Sequence, residues 1–437
     1  MDTAKFEELA RAGYARFGRL AKAYYYSFSR TTVTKDGTPC MLFLGNHSSG
    51  KSSLINWLVG GTAVQDVGLA PTDDGFTILV YGETEEDFCG TAALAHLPAE
   101  FTELGLFGEN FLQHLRIKVR NRPLLKSVTL VDSPGMIDSA EDVDRSYNFK
   151  GVVGVLAKLC DMVFFLLDPE KPGTTGETVN VFSECLVGIE AKLQVLLNKC
   201  DSFTSVYDFA RAYGTMCWNL AKVLKTKDLP KIWTVYSGEE RGPAESGFAL
   251  TDFNRHRSEF LNIISDASGR RRDNVFSQSQ HDFLGLSIRM RIVNSLARRL
   301  AVRTALTILC GAILATVSYF GVGRLLPDMG ATAWMLGGLA GAVVLLAAFM
   351  VSRLVVQITR IAFAQRLDEV FEAEYNGEMA VGLHDDLRQI WLGIRDETSE
   401  VVRKAPLGKL PLFGEFHRWR LDATARKVFA AFRRNPQ

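Results

Sequence analysis

The residues best suited to chemistry lie in one short segment, residues 45–52, with the sequence GNHSSGKS. It matches the pattern G-x-x-x-x-G-K-[ST], follows the apolar run 41–44 and precedes the helix-compatible run 53–58. A glycine loop between a strand and a helix can wrap a polyphosphate, because its amides and the helix dipole favour anions. Lys51 would reach the β- and γ-phosphates, and the Ser52 hydroxyl would bind Mg²⁺. A tight turn with an incidental lysine is the alternative, so further motifs must decide.

Three further motifs follow in the order that a nucleotide requires. Thr72 lies in a polar loop, where it can supply a second oxygen to Mg²⁺ and close over the γ-phosphate. An apolar strand then leads into the sequence DSPG, which places the Asp132 carboxylate near Mg²⁺ and frees the Gly135 N–H for the γ-phosphate. The last motif is NKCD at residues 198–201.

The NKCD motif predicts recognition of the base. The Asp201 carboxylate can accept both N–H donors of a guanine edge, which adenine cannot supply, and the Lys199 stem can cover the ring. A strand predicted at residues 232–237 ends where the base would lie, so Ser237 and Gly238 are candidates for the wall of the base pocket. The four motifs together predict a nucleotide site.

The candidate site comprises three overlapping sets of residues. The catalytic candidates are Lys51, Ser48, Thr72 and His47. The Mg²⁺ ligand candidates are Ser52, Thr72 and Asp132. The nucleotide-binding candidates are Gly45, Asn46, His47, Ser48, Ser49, Gly50, Lys51, Ser52, Ser53, Gly135, Asn198, Lys199, Asp201, Ser237 and Gly238. The expected cofactor is Mg²⁺, and the expected substrate is GTP or ATP.

Length, charge and cysteine content narrow the class of protein. A chain of 437 residues predicts two or three domains. A net charge of +1 with 23% charged residues argues against a protein that coats nucleic acid, so we expect no nucleic-acid partner. The seven cysteines are scattered without a C-x-x-C motif, which is typical of reduced thiols in the cytosol.

Apolar strand-like runs alternate with amphipathic helical segments between residues 40 and 240, which predicts a doubly wound α/β domain. The strand candidates are 40–45, 76–82, 128–132, 162–168, 193–198 and 232–237. We expect a stalk helix at 1–35, a nucleotide-binding domain at 36–245, a stalk segment at 246–303, a helical hairpin at 304–352 and a helical cytosolic region at 353–437.

Two long uncharged runs, 304–323 and 329–352, predict helices that cross a membrane. At about 1.5 Å per residue, each can span a hydrocarbon core of about 30 Å. The connection is five residues long, so the helices form a hairpin, and glycines such as Gly337 suit close contact in lipid. Basic residues flank the outer ends, which predicts a two-pass integral membrane protein with the nucleotide domain and both termini in the cytosol. A buried hairpin in a soluble protein is the alternative.

The helical segments outside these regions allow two interpretations. Residues 5–30 carry apolar residues at helical spacing with basic residues between them. They form either a membrane-surface helix or a stalk helix, and we favour the stalk because amphipathic helices mostly bury their apolar face in protein. Residues 417–434 mix aromatic and basic residues, which fits a membrane surface as well as a stalk.

Several segments resemble the EHD family of the dynamin superfamily, and sarcalumenin in the same clan. Besides residues 45–52, they are APTDDGF at 70–76, similar to the family's Glu-Pro-Thr-Thr switch, VDSPG at 131–135, DMVFFLLDP at 161–169 and LNKCD at 197–201. RAYGTMCWNL at 211–220 is similar to the family's RVYGALMWSL segment, and no nucleotide chemistry would force that likeness. The resemblance runs from about residue 5 to residue 300.

The resemblance implies a dynamin-type nucleotide domain, a helical stalk, and dimers that assemble on membranes and remodel them through slow hydrolysis. Asp73 stands where the family has a threonine that serves hydrolysis, and His47 stands where relatives carry Tyr or Gln. GEER at 238–241 replaces a Gly-Ser-Phe-Trp segment associated with adenine binding, which favours GTP over ATP. We also expect no C-terminal EH module, and the apolar hairpin stands in place of peripheral lipid insertion.

We therefore expect a membrane-integral, dynamin-like GTPase that couples Mg²⁺–nucleotide binding, dimerisation or larger homo-assembly, and hydrolysis to membrane tubulation, fission or fusion. Three alternatives stay open. The first is a nucleotide-switched membrane tether or receptor with little hydrolysis, motivated by Asp73. The second is an ATP-specific EHD-like remodelling protein. The third is a structural pseudo-nucleotidase that binds no nucleotide.

Overall fold

The computed structural model describes residues 3–28, 38–61, 64–65, 75–97, 99–136, 145–170, 177–186, 189–223, 231–238, 251–326, 329–379, 384–405 and 414–433. These residues form two compact units. The nucleotide-domain unit contains residues 3–7 and the described residues between 38 and 275, and the helical unit contains residues 8–28 together with the described residues from 276 onward.

The nucleotide-domain unit is built around one sheet. Its strands are β1 (Cys40–Gly45), β2 (Phe76–Tyr81), β3 (Glu86–Cys89), β4 (Leu115–Arg120), β5 (Thr129–Asp132), β6 (Met162–Leu167), β7 (Leu193–Leu197) and β8 (Ile232–Thr234). Among the described residues the strand order is β3-β4-β2-β5-β1-β6-β7-β8. Strands β5, β1, β6, β7 and β8 run parallel, whereas β2 runs antiparallel to β5. Their carboxyl ends therefore meet at one edge, where ligand loops are expected.

The central strands are buried on both faces, which explains their continuous apolar sequences. Along β1, Leu42 and Leu44 face one hydrophobic core, and Met41 and Phe43 face the other. β3 and β4 were not among the strands predicted from the sequence. β3 lies at the sheet edge and is largely exposed, so it lacks an apolar signal, whereas the alternating sequence LRIKVR of β4 does carry the period of a strand.

Helices cover the sheet and form the helical unit. Those of the nucleotide-domain unit are α2 (Lys51–Leu58), α3 (Gly90–His96), α4 (Gly108–Leu112), α5 (Phe149–Leu159), α6 (Glu177–Asn180), α7 (Val206–Val223) and α8 (Thr251–Ser265). The others are α1 (Thr3–Ala23), α9 (Ala267–Leu325), α10 (Ala331–Gln365), α11 (Leu367–Met379), α12 (His384–Lys404) and α13 (Gly414–Arg433). α9 contributes residues to both units.

The helical unit has its own hydrophobic core, to which both chain ends contribute. α1 buries Phe17 and Tyr24 in this core, so its apolar face packs against protein. α13 buries Leu421 there but leaves Phe416 and Trp419 more than half exposed. The stalk interpretation therefore fits one face of each helix, and their basic faces stay open to solvent.

The distal parts of α9 and α10 pack against each other as an antiparallel hairpin. Gly311 lies against Ala348, and the Tyr319 and Trp334 rings are 5.3 Å apart. A Cβ on Gly337 would lie 2.8 Å from the Tyr319 carbonyl oxygen, so glycine permits close backbone approach. The most apolar windows of the two helices are only 11% and 6% buried, and by length and composition both helices are candidate membrane spans.

Candidate functional site

Residues 45–52 form a phosphate loop between β1 and α2. Gly50 adopts a left-handed conformation (φ 86°), and a Cβ there would collide with the Asn198 amide. Ser48 is also left-handed (φ 65°), which is unusual for a residue with a side chain. This turn leaves the amides at the start of α2 facing the space where a polyphosphate would bind.

The Lys51 side chain lies inside this loop. Its ammonium group donates to the carbonyl oxygens of Gly45 (3.0 Å) and Asn46 (3.1 Å), and the residue is 6% exposed. Burial lowers the pKa of Lys51 to about 8, although the nearby Asp132 carboxylate opposes this shift. A cation that is buried mainly among carbonyl dipoles fits a site for an anion.

Two of the three predicted metal ligands meet beside this lysine. The Ser52 hydroxyl donates to the Asp132 carboxylate at 2.8 Å, and both atoms are hard oxygen ligands of the kind that Mg²⁺ prefers. The Gln65 side-chain amide donates to the same carboxylate oxygen at 3.0 Å. Gln65 is held in place because its backbone N–H donates to the side-chain oxygen of Asn56 in α2. The pair fits a magnesium site, while Thr72 lies outside the described residues.

The loop after β5 is joined to the phosphate loop. The His47 N–H donates to the Met136 carbonyl at 2.8 Å, and the Met136 N–H donates to the Gly45 carbonyl at 3.1 Å. A Cβ on Gly135 would lie 2.7 Å from the His47 Cα, so this close approach requires glycine. The Arg145 guanidinium donates to the Gly135 carbonyl at 2.8 Å and thereby orients this peptide.

The NKCD motif begins next to the phosphate loop. The Asn198 amide donates to the Ser49 carbonyl at 2.9 Å. Lys199 is left-handed (φ 57°), and its ammonium forms a 2.6 Å ion pair with the buried carboxylate of Asp168. The other Asp168 oxygen accepts from the Glu170 N–H, so both oxygens hold a fixed orientation.

The end of β8 approaches the same motif. The Cys200 N–H donates to the Val235 carbonyl at 3.2 Å, which brings Ser237 and Gly238 to the base side of the site. Arg257 of α8 donates to the Gly238 carbonyl at 2.8 Å and lies over the Trp57 ring. The predicted residues that the structure describes therefore lie along one sheet edge. Ser53 lies in the first turn of α2, and Asp201 lies in a short 3₁₀ turn beside Lys199.

The comparisons with known proteins agree with this geometry. The model of the dynamin family matches residues 41–184. EH domain-containing protein 2 of Arabidopsis thaliana is 34% identical over 210 residues, which cover 48% of this chain and 38% of that protein. EH domain-containing protein 2 of Homo sapiens is 33% identical over 208 residues, which cover 46% of this chain and 37% of that protein.

Residues 41–184 of this chain therefore match the dynamin family, and the aligned part is EHD-like. The aligned part spans well under half of these curated relatives. Among solved structures, the match to an oligomerised bacterial dynamin pair covers 98% of the present chain and 79% of the bacterial chain, at 14% identity and a TM-score of 0.38. The match to Era of Aquifex aeolicus covers 52% of the present chain and 56% of Era, at 13% identity and a TM-score of 0.29. Likeness at this level supports no functional conclusion.

Four residues at this site were not predicted from the sequence. They are Gln65, Arg145, Asp168 and Thr178, whose buried hydroxyl donates to the Asn46 side chain at 2.5 Å. Asp168 lies in a segment that carried the family resemblance, so its position after β6 was a usable signal. The other three lie in irregular or weakly patterned segments, and nothing in the local sequence marks them.

Proposed function

We propose that this chain is a Mg²⁺-dependent GTPase anchored in a membrane, and that it couples nucleotide-driven assembly to membrane remodelling. The contact between Ser52 and Asp132 beside the buried Lys51 carries the proposal. Mg²⁺, when bound, neutralises phosphate charge and orients the β- and γ-phosphates. Little covalent chemistry is then needed from the protein.

The protein groups have separable roles in this proposal. Lys51 neutralises charge on the transferred phosphoryl group, and the phosphate-loop amides with the Gly135 N–H bind its oxygens. Ser52, Thr72 and Asp132 would hold the metal. His47 and Ser48 are hydrogen-bonded to each other at 2.8 Å and project from the loop, which suits positioning of the attacking water.

The residues proposed to contact the nucleotide base support a preference for GTP over ATP. Asp201 is the proposed acceptor of the guanine N–H donors, and Lys199 would cover the ring while Asp168 holds its ammonium. An ATP-specific, EHD-like protein is the alternative. Calorimetric titration with GTP and ATP in parallel separates the two, with Lys51→Ala as the control that should abolish binding of either. Tighter ATP binding would overturn the guanine assignment, and no binding of either would leave a pseudo-nucleotidase.

The hairpin supports the membrane anchor. Its outward-facing apolar side chains, such as Leu314, Leu339 and Phe349, are more than half exposed in the described structure. Exposed apolar surface of this extent is unfavourable in water and favourable in hydrocarbon. The Arg303 guanidinium donates to the Thr359 hydroxyl at the base of the hairpin, a suitable level for an anchor on the cytosolic side.

An exposed apolar surface on α7 supports homo-assembly. Trp218, Val206 and Tyr207 are 69%, 67% and 75% exposed. Aromatic side chains are enriched in protein interfaces, so this surface suits a dimer contact. Trp218→Ala should abolish any nucleotide-dependent dimer measured by light scattering, while Lys158→Ala, at an exposed position of α5, should leave it intact.

The decisive functional test uses proteoliposomes. Lipid-dependent GTP turnover that is lost in Lys51→Ala, together with vesicle deformation only in the presence of GTP, would support remodelling. Tight GTP binding with negligible single-turnover hydrolysis would instead favour the nucleotide-switched tether. Asp73, which motivates that alternative, lies outside the described residues. Nucleotide-independent monomers that never deform vesicles would contradict both.

A further inference from the structure

The helical unit contains a groove that nucleotide chemistry does not use. It is a cavity of about 340 Å³ between α1 and α13. We call it the basic groove. Its cationic lining consists of Arg16 and Arg19 from α1 and Arg420 from α13. The His417 imidazole lies among them, and Phe17 and Leu20 contribute apolar lining.

The positive charges of this groove are uncompensated within the described part of the chain. No carboxylate is among the described residues that line it, and Arg16, Arg19 and Arg420 form no ion pair with a described carboxylate. Other arginines of the same unit do pair, as Arg395 does with Asp368 at 2.8 Å. A concave cluster of unpaired cations favours an external anion.

The groove is also held in shape. α1 and α13 share one hydrophobic core, through Phe17 on one side and Leu421 on the other. The Arg16 guanidinium lies 5.7 Å from the Phe17 ring centroid, and that of Arg420 lies 5.9 Å from the Phe416 centroid. Stacking on aromatic rings reduces the freedom of both guanidiniums before a ligand arrives.

We propose that the basic groove binds a multiply phosphorylated small anion, of the class of phosphorylated inositols. Guanidiniums bind phosphate oxygens in a bidentate manner, and three of them with an imidazole require several negative charges in return. The volume lies within the usual range for small-molecule sites. Such an anion can be a soluble molecule or the headgroup of a lipid, and only the lipid source rests on the membrane anchor proposed above.

The position of the groove is compatible with a lipid source. The carboxylate of Glu415, at the start of α13, lies 4.0 Å from the guanidinium of Arg298 on α9. Arg298 precedes Thr304, the first residue of the uncharged run, by six residues. Six residues of helix span about 9 Å, and the headgroup layer extends roughly 5–8 Å beyond the hydrocarbon core. A phosphorylated headgroup that projects from the membrane surface could therefore reach the α13 end of the groove.

The test uses the full chain in detergent with Lys51→Ala, so that the phosphate loop does not compete for the probe. Calorimetric titration with inositol hexakisphosphate should show binding. Arg19→Gln with Arg420→Gln should weaken it by about tenfold or more, since two charge-assisted contacts are lost. The matched control, Lys22→Gln with Lys427→Gln, removes the same charge from the same two helices outside the groove and should change affinity by no more than about twofold.

A second arm identifies the source of the anion. The same titration is repeated in nanodiscs of phosphatidylcholine with or without a phosphorylated phosphatidylinositol. A lower apparent affinity for the soluble probe in the phosphoinositide discs assigns the groove to the headgroup, and equal affinity assigns it to a soluble anion. Both results support the site.

Two results would overturn the proposal: no binding of inositol hexakisphosphate, or an equal loss of affinity in both double variants, which would indicate diffuse attraction. Arg19→Lys with Arg420→Lys retains charge and guards against misfolding of the glutamine variant. It should bind more weakly than the parent, because lysine lacks the bidentate fork. GTP binding by the wild-type chain is measured separately, so failure of the groove and failure of the nucleotide site are distinguishable.

Discussion

Lys51 shows how a single buried charge can make nucleotide binding depend on pH. Its ammonium donates to two backbone carbonyls and forms no direct ion pair with any carboxylate that the structure describes, and burial lowers its pKa to about 8. Below this pH the lysine is already charged and ready for a triphosphate. Above it, binding must be accompanied by uptake of one proton.

We therefore expect the affinity for a non-hydrolysable GTP analogue to be flat below pH 8 and to fall by up to about tenfold per pH unit above it. Calorimetry in buffers of different ionisation enthalpy should show proton uptake on the alkaline side. Lys51→Arg keeps its charge throughout, so any binding that it retains should lack this dependence. A flat profile for the wild-type chain would show that the pKa of Lys51 is not lowered.

Asp132 allows a second test at the residue scale. Its carboxylate accepts from Ser52 and Gln65, so Asp132→Asn removes the charge and leaves a side chain of the same size. We expect the Mg²⁺ concentration for half-maximal nucleotide binding to rise about tenfold to a hundredfold. Affinity without Mg²⁺ should change little. An unchanged Mg²⁺ requirement would remove Asp132 from the metal site.

At the scale of elements, the hairpin depends on close contact between α9 and α10. A Cβ on Gly337 would meet the Tyr319 carbonyl, whereas a Cβ on the adjacent Gly338 would have no heavy atom within 4 Å. The two neighbouring glycines are therefore unequal, because only one lies on the face that contacts the other helix.

This difference predicts that Gly337→Val separates the two helices and that Gly338→Val is tolerated. Cross-linking can report the separation: with Ala315→Cys and Gly341→Cys, the two Cβ atoms would lie 3.8 Å apart, the usual spacing in a disulfide. In a Cys310→Ser background, oxidative cross-linking should be efficient in the parent and in Gly338→Val. It should be markedly slower in Gly337→Val. Equal rates in all three would contradict this packing.

At the scale of the whole molecule, two apolar helices in a hairpin impose a topology. If both cross the membrane, the segments before α9 and after α10 lie on the same side, and the five-residue connection lies on the other. The basic residues near the outer ends, including Arg298 and Arg353, predict that this shared side is the cytosolic one.

Epitope tags at the two chain ends should therefore both be digested when protease is added to the cytosolic face of sealed membranes. A tag inserted at residues 327–328 should be protected until detergent is added. Digestion of only one terminal tag would indicate a single span. Extraction of the untreated protein by alkaline carbonate would show that the hairpin does not cross the bilayer.

Local spacing and composition were enough to predict several parts of this protein. The phosphate loop needs glycines and a lysine at fixed intervals, and the apolar runs of the hairpin follow from length and lack of charge. The buried central strands were predicted for the same reason, because both of their faces are apolar.

The contacts between residues far apart in the chain could not be predicted in this way and are known from the folded structure. Ser52 contacts Asp132 from 80 residues away and Thr178 contacts Asn46 from 132 residues away, and no local pattern encodes such pairs. The Asp168 carboxylate that holds Lys199, and the two faces of α1, one buried and one lining the basic groove, are likewise products of packing. The physical reason is that chain connectivity fixes short-range geometry, whereas long-range contacts depend on how the sheet edge and the helical core assemble.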